Sequence, residues 1–173
     1  MGSKIFMLVL LCLINEANIA VSKEAEITES NWIDHPEIKE IREIYSAIEA
    51  DIKSINIIEH KKIYEYEEPY KPVLKAIYVN KNNVARKYVE EASSDDSALS
   101  LSYYYENKIL RFVFIKGGAV NGSHMEHRIY FNSKGKRIWE IQKYLVGPGY
   151  SFPAVWSDNQ LVFEPWEEFN KEN

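Results

Sequence analysis

One cysteine is all the chain has in 173 residues, and Cys12 lies inside its one strongly apolar run, Ile5 to Ile14. A disulfide framework is therefore excluded. Lys4 stands just before the run, and a polar stretch from Asn15 leads to Ala20-Val21-Ser22. A basic start, a short apolar core and small residues at a peptidase site make up a secretory signal peptide. We read residues 1–22 as that leader, cut after Ser22. A cut after Ala20 is the second choice, because Asn18 stands where a small residue is preferred. Removal of the leader leaves no thiol, so thiol catalysis is excluded from the remainder. A lipid anchor on Cys12 is disfavoured, because the bulky Leu11 precedes it.

Long hydrophobic runs are also missing. Ten apolar residues reach about 15 Å as a helix, half of a hydrocarbon core of about 30 Å, and no later segment comes closer to a membrane span. Clustered positive charge is absent too. The net charge is −5, and losing Lys4 and Glu16 with the leader leaves it unchanged. Nucleic acid is thereby a poor partner, as is an anionic membrane surface. The leader leads us to expect an exported protein, in a periplasm or the medium.

What remains is long enough for one hydrophobic core without staples. After a polar tether at 23–33, a single domain is expected over 34–173. Asp34 or His35 can cap a helix with Pro36 in its first turn. Ile38, Ile41, Ile44, Tyr45, Ile48, Ile52 and Ile55 follow a spacing of three and four and mark one apolar face. Lys39–Glu43 and Glu49–Lys53 stand four apart and are expected to pair on the solvated side.

From Ile57 the period changes. Lys62 to Glu67 reads as a first strand, stopped by Pro69 and Pro72. Three strand–turn–strand units follow, pivoting on Asn80, Asn107 and Asn132 at intervals of 27 and 25 residues. Asparagine tolerates the left-handed backbone that hairpin turns require. Ser93–Ser97 reads as an acidic loop, Lys116–Gly122 as a glycine-rich loop, and Gly147-Pro148-Gly149 as the end of the meander. Helix first and strands after define an α+β domain: an N-terminal amphipathic helix on a curved antiparallel meander of about six to seven strands. In architecture this resembles cystatin-like helix-on-sheet domains. Ile109–Ile115 is apolar on both faces, so it should be covered twice. The helix would cover one face and the apolar tail around Trp156, Leu161, Val162, Phe163 and Trp166 the other. A homodimer is the alternative cover.

Catalytic signatures are few. There is no G-x-S-x-G elbow, and Gly117-Gly118 lacks the lysine and hydroxyl of a phosphate loop. His124, Glu126 and His127 are ligand-type residues. On a strand, however, His127 points away from the other two, and the helical HExxH pattern is missing. No metal or other cofactor is assigned, and no catalytic residue. Strand parity instead puts Glu126, Arg128 and Tyr130 on one face, with Ser102 and Tyr104 added from one neighbour and Glu140, Gln142 and Tyr144 from the other. An Arg128–Glu140 cross-strand pair would fit this placement. Tyr104, Glu126, Arg128 and Tyr130 are the candidate binding residues, on a polar aromatic surface suited to a small polar ligand or a protein partner. The function expected is a non-enzymatic binding module, with an exported hydrolase using carboxylates or a His124/Glu126 site as the alternative. An envelope component working by assembly is a third reading. Asn121-Gly122-Ser123 matches a glycosylation acceptor.

Overall fold

The computed structural model describes residues 26–67, 71–147 and 149–171. The leader expected at 1–22 lies outside them. The apolar period produces helix α1 (Pro36–Lys53) with Pro36 in its first turn. Ile38, Ile41, Ile44 and Ile48 are buried along one stripe, each worth about 2 kcal/mol of apolar burial. Ile55 does not join them. It lies past the helix end at φ 60 and is exposed.

Seven antiparallel strands follow in strict sequence order. They are β1 (Ile58–Tyr64), β2 (Val73–Val79), β3 (Ala85–Ser93), β4 (Ser97–Glu106), β5 (Ile109–Ala119), β6 (His124–Phe131) and β7 (Arg137–Val146). The first strand begins earlier than its alternation suggested. The expected glycine-rich loop is also shorter, because Lys116 to Ala119 continue β5, with Gly117 opposite Leu99 and Met125. Gly117 is required there: a Cβ would lie 2.7 Å from the Phe152 ring, which packs on the strand.

The asparagines act in two ways. Asn107 and Lys108 form a two-residue turn with φ 50 and 68, both left-handed as expected. Asn80 and Asn132 do not adopt positive φ. Their side-chain oxygens accept backbone N–H bonds from Asn82 and Val84, and from Lys134 and Lys136. The left-handed residue comes three positions later, at Asn83 (φ 60) and Gly135 (φ 75).

The two sheet faces carry separate cores. On one, α1 covers Tyr104, Phe112 and Tyr130, with Trp32 and Ile27 joining from the segment read as tether. The helix is tied down by charge as well. Arg111, a bulge residue of β5, bonds Glu40 at 3.0 Å and pairs with Glu106. Glu49 accepts from Lys87 at 2.6 Å and from the Tyr104 hydroxyl at 2.9 Å, so it reaches the sheet rather than Lys53. Lys39 likewise pairs with Asp34 at 3.1 Å, not with Glu43.

The other face is covered by the chain's own tail. Trp156, Leu161 and Phe169 pack on Ile77, Tyr88, Tyr103, Tyr105, Val113, Ile115 and Ile129. A short helix α2 (Pro165–Asn170) ends over β1 and β2. There Lys62 and the Tyr64 hydroxyl bond the Phe169 carbonyl at 3.2 and 2.9 Å, and the buried Lys75 bonds Glu168 Oε1 at 2.9 Å.

Candidate binding groove

Strand pairing sorts the helix-side face into rows. Under α1 runs an aromatic row, Trp139–Tyr130–Phe112–Tyr104. The next is Ile141–Arg128–Phe114–Ser102, and beyond it Lys143–Glu126–Lys116–Ser100. Successive rows are about 6.7 Å apart along the strands. The helix stops short of the outer two, which leaves a groove between its flank and the open sheet.

This groove encloses about 470 Å³, with Arg42, Tyr45 and Ser46 of α1 on one wall and Phe112, Phe114 and Tyr130 as floor. Trp32 and Ile33 close one end, and Arg128, Ile141 and Lys143 line the β6–β7 side. Trp32 is held by stacking on Trp139 at 6.4 Å. Tyr45 meets Tyr104 and Phe112 edge-on at 5.0 and 5.7 Å. Rings fixed on both sides make a rigid, apolar floor.

Positive charge gathers around it. Phe114 lies beneath both Lys116 Nζ, 5.1 Å from its centroid, and Arg128 Cζ, at 4.9 Å. Arg128 is ion-paired with Glu126. Arg42, Lys116 and Lys143 make no ion pair among the described residues. Tyr130 feels two of these charges: burial raises its hydroxyl pKa, while Arg128 and Arg42 pull it back down. Burial also raises Tyr45, with a further push from Glu49.

Of the four expected site residues, Arg128 and Tyr130 line the groove and Glu126 braces Arg128. Tyr104 sits on the far side of Tyr45, in a smaller recess shared with Glu49, Lys87 and Ser102. The face is not the open surface expected, because Tyr104 and Tyr130 are both 2 % exposed beneath α1. Glu140, Gln142 and Tyr144 point to the opposite side, paired with Ile129, His127 and Met125. A bulge at Ile138 consumes one residue and inverts the parity of β7. Glu140 accordingly bonds His127 at 2.7 Å and Arg137 at 2.6 Å rather than Arg128.

Sequence reasoning missed Arg42, Trp32 and Lys143, which line the groove, and Lys116, which lies over its Phe114 floor. Lys143 was hidden by the same bulge, and Arg42 looked like an ordinary solvated helix position. His124 and Glu126 share a side of β6, but Glu126 is taken by Arg128 and His124 borders a separate trough with Ser100 and Gly118. Among the described residues no group of three or more His, Cys, Asp or Glu could hold a metal ion. None of their helices is long and apolar enough to cross a membrane. Comparison with protein-family models, with curated proteins and with solved structures finds no match.

Proposed function

We propose that the protein is an exported, non-enzymatic binding module whose groove takes an anionic ligand with a flat or apolar body. The carrying observation is the charge contrast: Arg42, Lys143 and Arg128 line one aromatic floor, and Lys116 lies over the Phe114 ring beside it, on a chain of net charge −5. A guanidinium already braced by Glu126 is oriented to bond a carboxylate, sulfate or phosphate. Rings at the floor favour a planar or hydrocarbon portion. The volume lies within the range of small-molecule pockets, about 300–1,000 Å³. Export rests on the leader-like residues 1–22, and we read the layout of helix across meander as resembling cystatin-like domains, a likeness of architecture that carries no activity.

Naphthalene probes test this directly, with intrinsic tryptophan fluorescence as readout. 1-Naphthyl phosphate should bind at least about tenfold more tightly than 1-naphthylmethylammonium, the difference shrinking as salt is raised. Lys143→Glu and Arg42→Glu, both at exposed positions, should each weaken the phosphate about tenfold and strengthen the cation. Equal binding of the two probes by the native protein would sink the reading.

A further inference from the structure

Four hairpin turns join the strands from β2 to β7 other than the acidic one, and they differ at one position. Residues 80–84, 119–123 and 132–136 form the same loop, each closed by a first-to-fifth backbone bond and an inner bond from the fourth residue to the first. The fourth residue is left-handed in all three: Asn83 at φ 60, Gly122 at φ 83 and Gly135 at φ 75. Glycine holds that conformation without strain, and two of the three loops use it. The remaining turn, Asn107-Lys108, places lysine where a two-residue turn of this kind favours glycine. So two turns keep a side chain at a position built for glycine. Both line the same cavity.

That cavity, about 400 Å³, lies on the tail side of the sheet and is independent of the groove. Asn82, Asn83 and Lys108 form its turn side, and Glu164, Pro165 and Trp166 its tail side. The Trp166 indole is fixed by donating Nε1–H to the Asn83 carbonyl at 3.3 Å and by edge contact with Phe169 at 6.0 Å. The side-chain amides of Asn82 and Asn83, the Lys108 ammonium and the Glu164 carboxylate make no hydrogen bond or ion pair among the described residues.

We infer that this cavity is a binding site for a neutral hexopyranose sugar. The free groups are balanced. Two amides donate and accept, one ammonium only donates, and one carboxylate only accepts. An anion would meet Glu164 and a cation would meet Lys108, whereas vicinal hydroxyls satisfy both at once. The fixed indole supplies an apolar wall for the C–H side of the ring. The strain kept at Lys108, and the side chain kept at Asn83 where two sister loops use glycine, are then explained by the cavity both residues line.

The test uses the methyl glycosides of glucose, galactose and mannose, read by saturation-transfer NMR and tryptophan fluorescence. At least one should bind in the millimolar range. Asn83→Gly and Lys108→Gly should each weaken it about tenfold while leaving the thermal midpoint equal to or above that of the parent, since glycine relieves the backbone. Trp166 is left intact, so a folding defect cannot imitate the loss. The proposal is overturned if no glycoside binds at about 20 mM, a concentration that detects dissociation constants in that range. It is also overturned if the glycine variants bind like the parent, or if acetate or methylammonium binds the cavity better than the glycosides.

Discussion

The two faces of the sheet are covered by different means, and the difference decides where each is left open. One helix lies across the first face and hides only the aromatic row. Beyond its flank Arg128, Lys116 and Lys143 remain near water. On the second face the tail runs from the end of β7 back to β1 and buries the central residues of the sheet. Tyr103 and Tyr105 are 2 % and 0 % exposed there, and the Tyr105 hydroxyl is satisfied by the Val162 carbonyl at 2.6 Å. Burial raises the pKa of both well above 10, whereas Tyr130 on the helix side is moderated by two arginines. A rigid rod covers a band and leaves a groove along its flank; an irregular strap conforms to the centre of its face and leaves cavities at its margins.

Stability should therefore be concentrated on the tail side. Phe169→Ala is expected to cost about 3–5 kcal/mol, as for other large buried aromatics. Arg42→Ala and Lys143→Ala in the groove should change stability by less than about 0.5 kcal/mol. Urea midpoints at constant m-value measure both. A loss below about 1 kcal/mol for Phe169→Ala would instead make the tail a strap that detaches without unfolding the sheet.

The grip on the tail gives a sharper contrast between partners of one ion pair. Lys75 is 2 % exposed, while the Glu168 side chain is 28 % exposed and has Lys171 at 3.8 Å. Glu168→Ala strands a buried ammonium with the Glu168 backbone carbonyl at 3.3 Å and the Tyr64 ring at 5.1 Å, and should cost about 3 kcal/mol. Lys75→Met removes the buried charge and leaves a carboxylate that water can reach, so its cost should stay near 1 kcal/mol or less. Chemical denaturation of the two variants decides. Equal losses would mean that the Coulombic pair, rather than the unpaired buried charge, sets the cost.

The sequence made the helix, the strand order and the tail cover legible, because each rests on period alone. Ile38, Ile41, Ile44 and Ile48 repeat at helical spacing, and the runs around Asn80, Asn107 and Asn132 alternate between turns. What escaped was everything that depends on one residue more or less. The bulge at Ile138 turned Lys143 into the groove and Glu140 out of it. Gly117 read as loop because its reason, the Phe152 ring, lies 35 positions away in the chain. Lys62 and Lys75 alternate like solvent-facing residues, yet their ammonium groups end on Phe169 and Glu168 carbonyls. Arg128 and Tyr130 were reached through parity on an unbulged stretch of β6, where counting by two holds.

The smallest expected effect concerns pH and again divides the faces. His127 lies on the tail side, 0 % exposed, with Nε2 placed 2.7 Å from Glu140 Oε1. Glu140 also holds Arg137, which in turn bonds Asp158 at 2.6 Å. Burial lowers the His127 pKa below 6.5 and Arg137 adds to the lowering, outweighing the opposite pull of Glu140 and of the Pro153 backbone. The folded ring is thus neutral and donates Nε2–H to Glu140. Because the unfolded chain binds that proton more readily, the contribution is complete above about pH 6.5 and is lost as pH falls toward the folded value. His127→Gln can keep a donor toward Glu140 but cannot titrate. Its stability should fall less than that of the parent between about pH 7 and pH 5, with the curves converging at the acid end. Groove variants such as Lys143→Ala carry no such group and should parallel the parent throughout. Parallel curves for His127→Gln would mean that Glu140 cancels burial and the ring titrates alike folded and unfolded; a parent that gains on the variant as pH falls would mean that Glu140 outweighs burial.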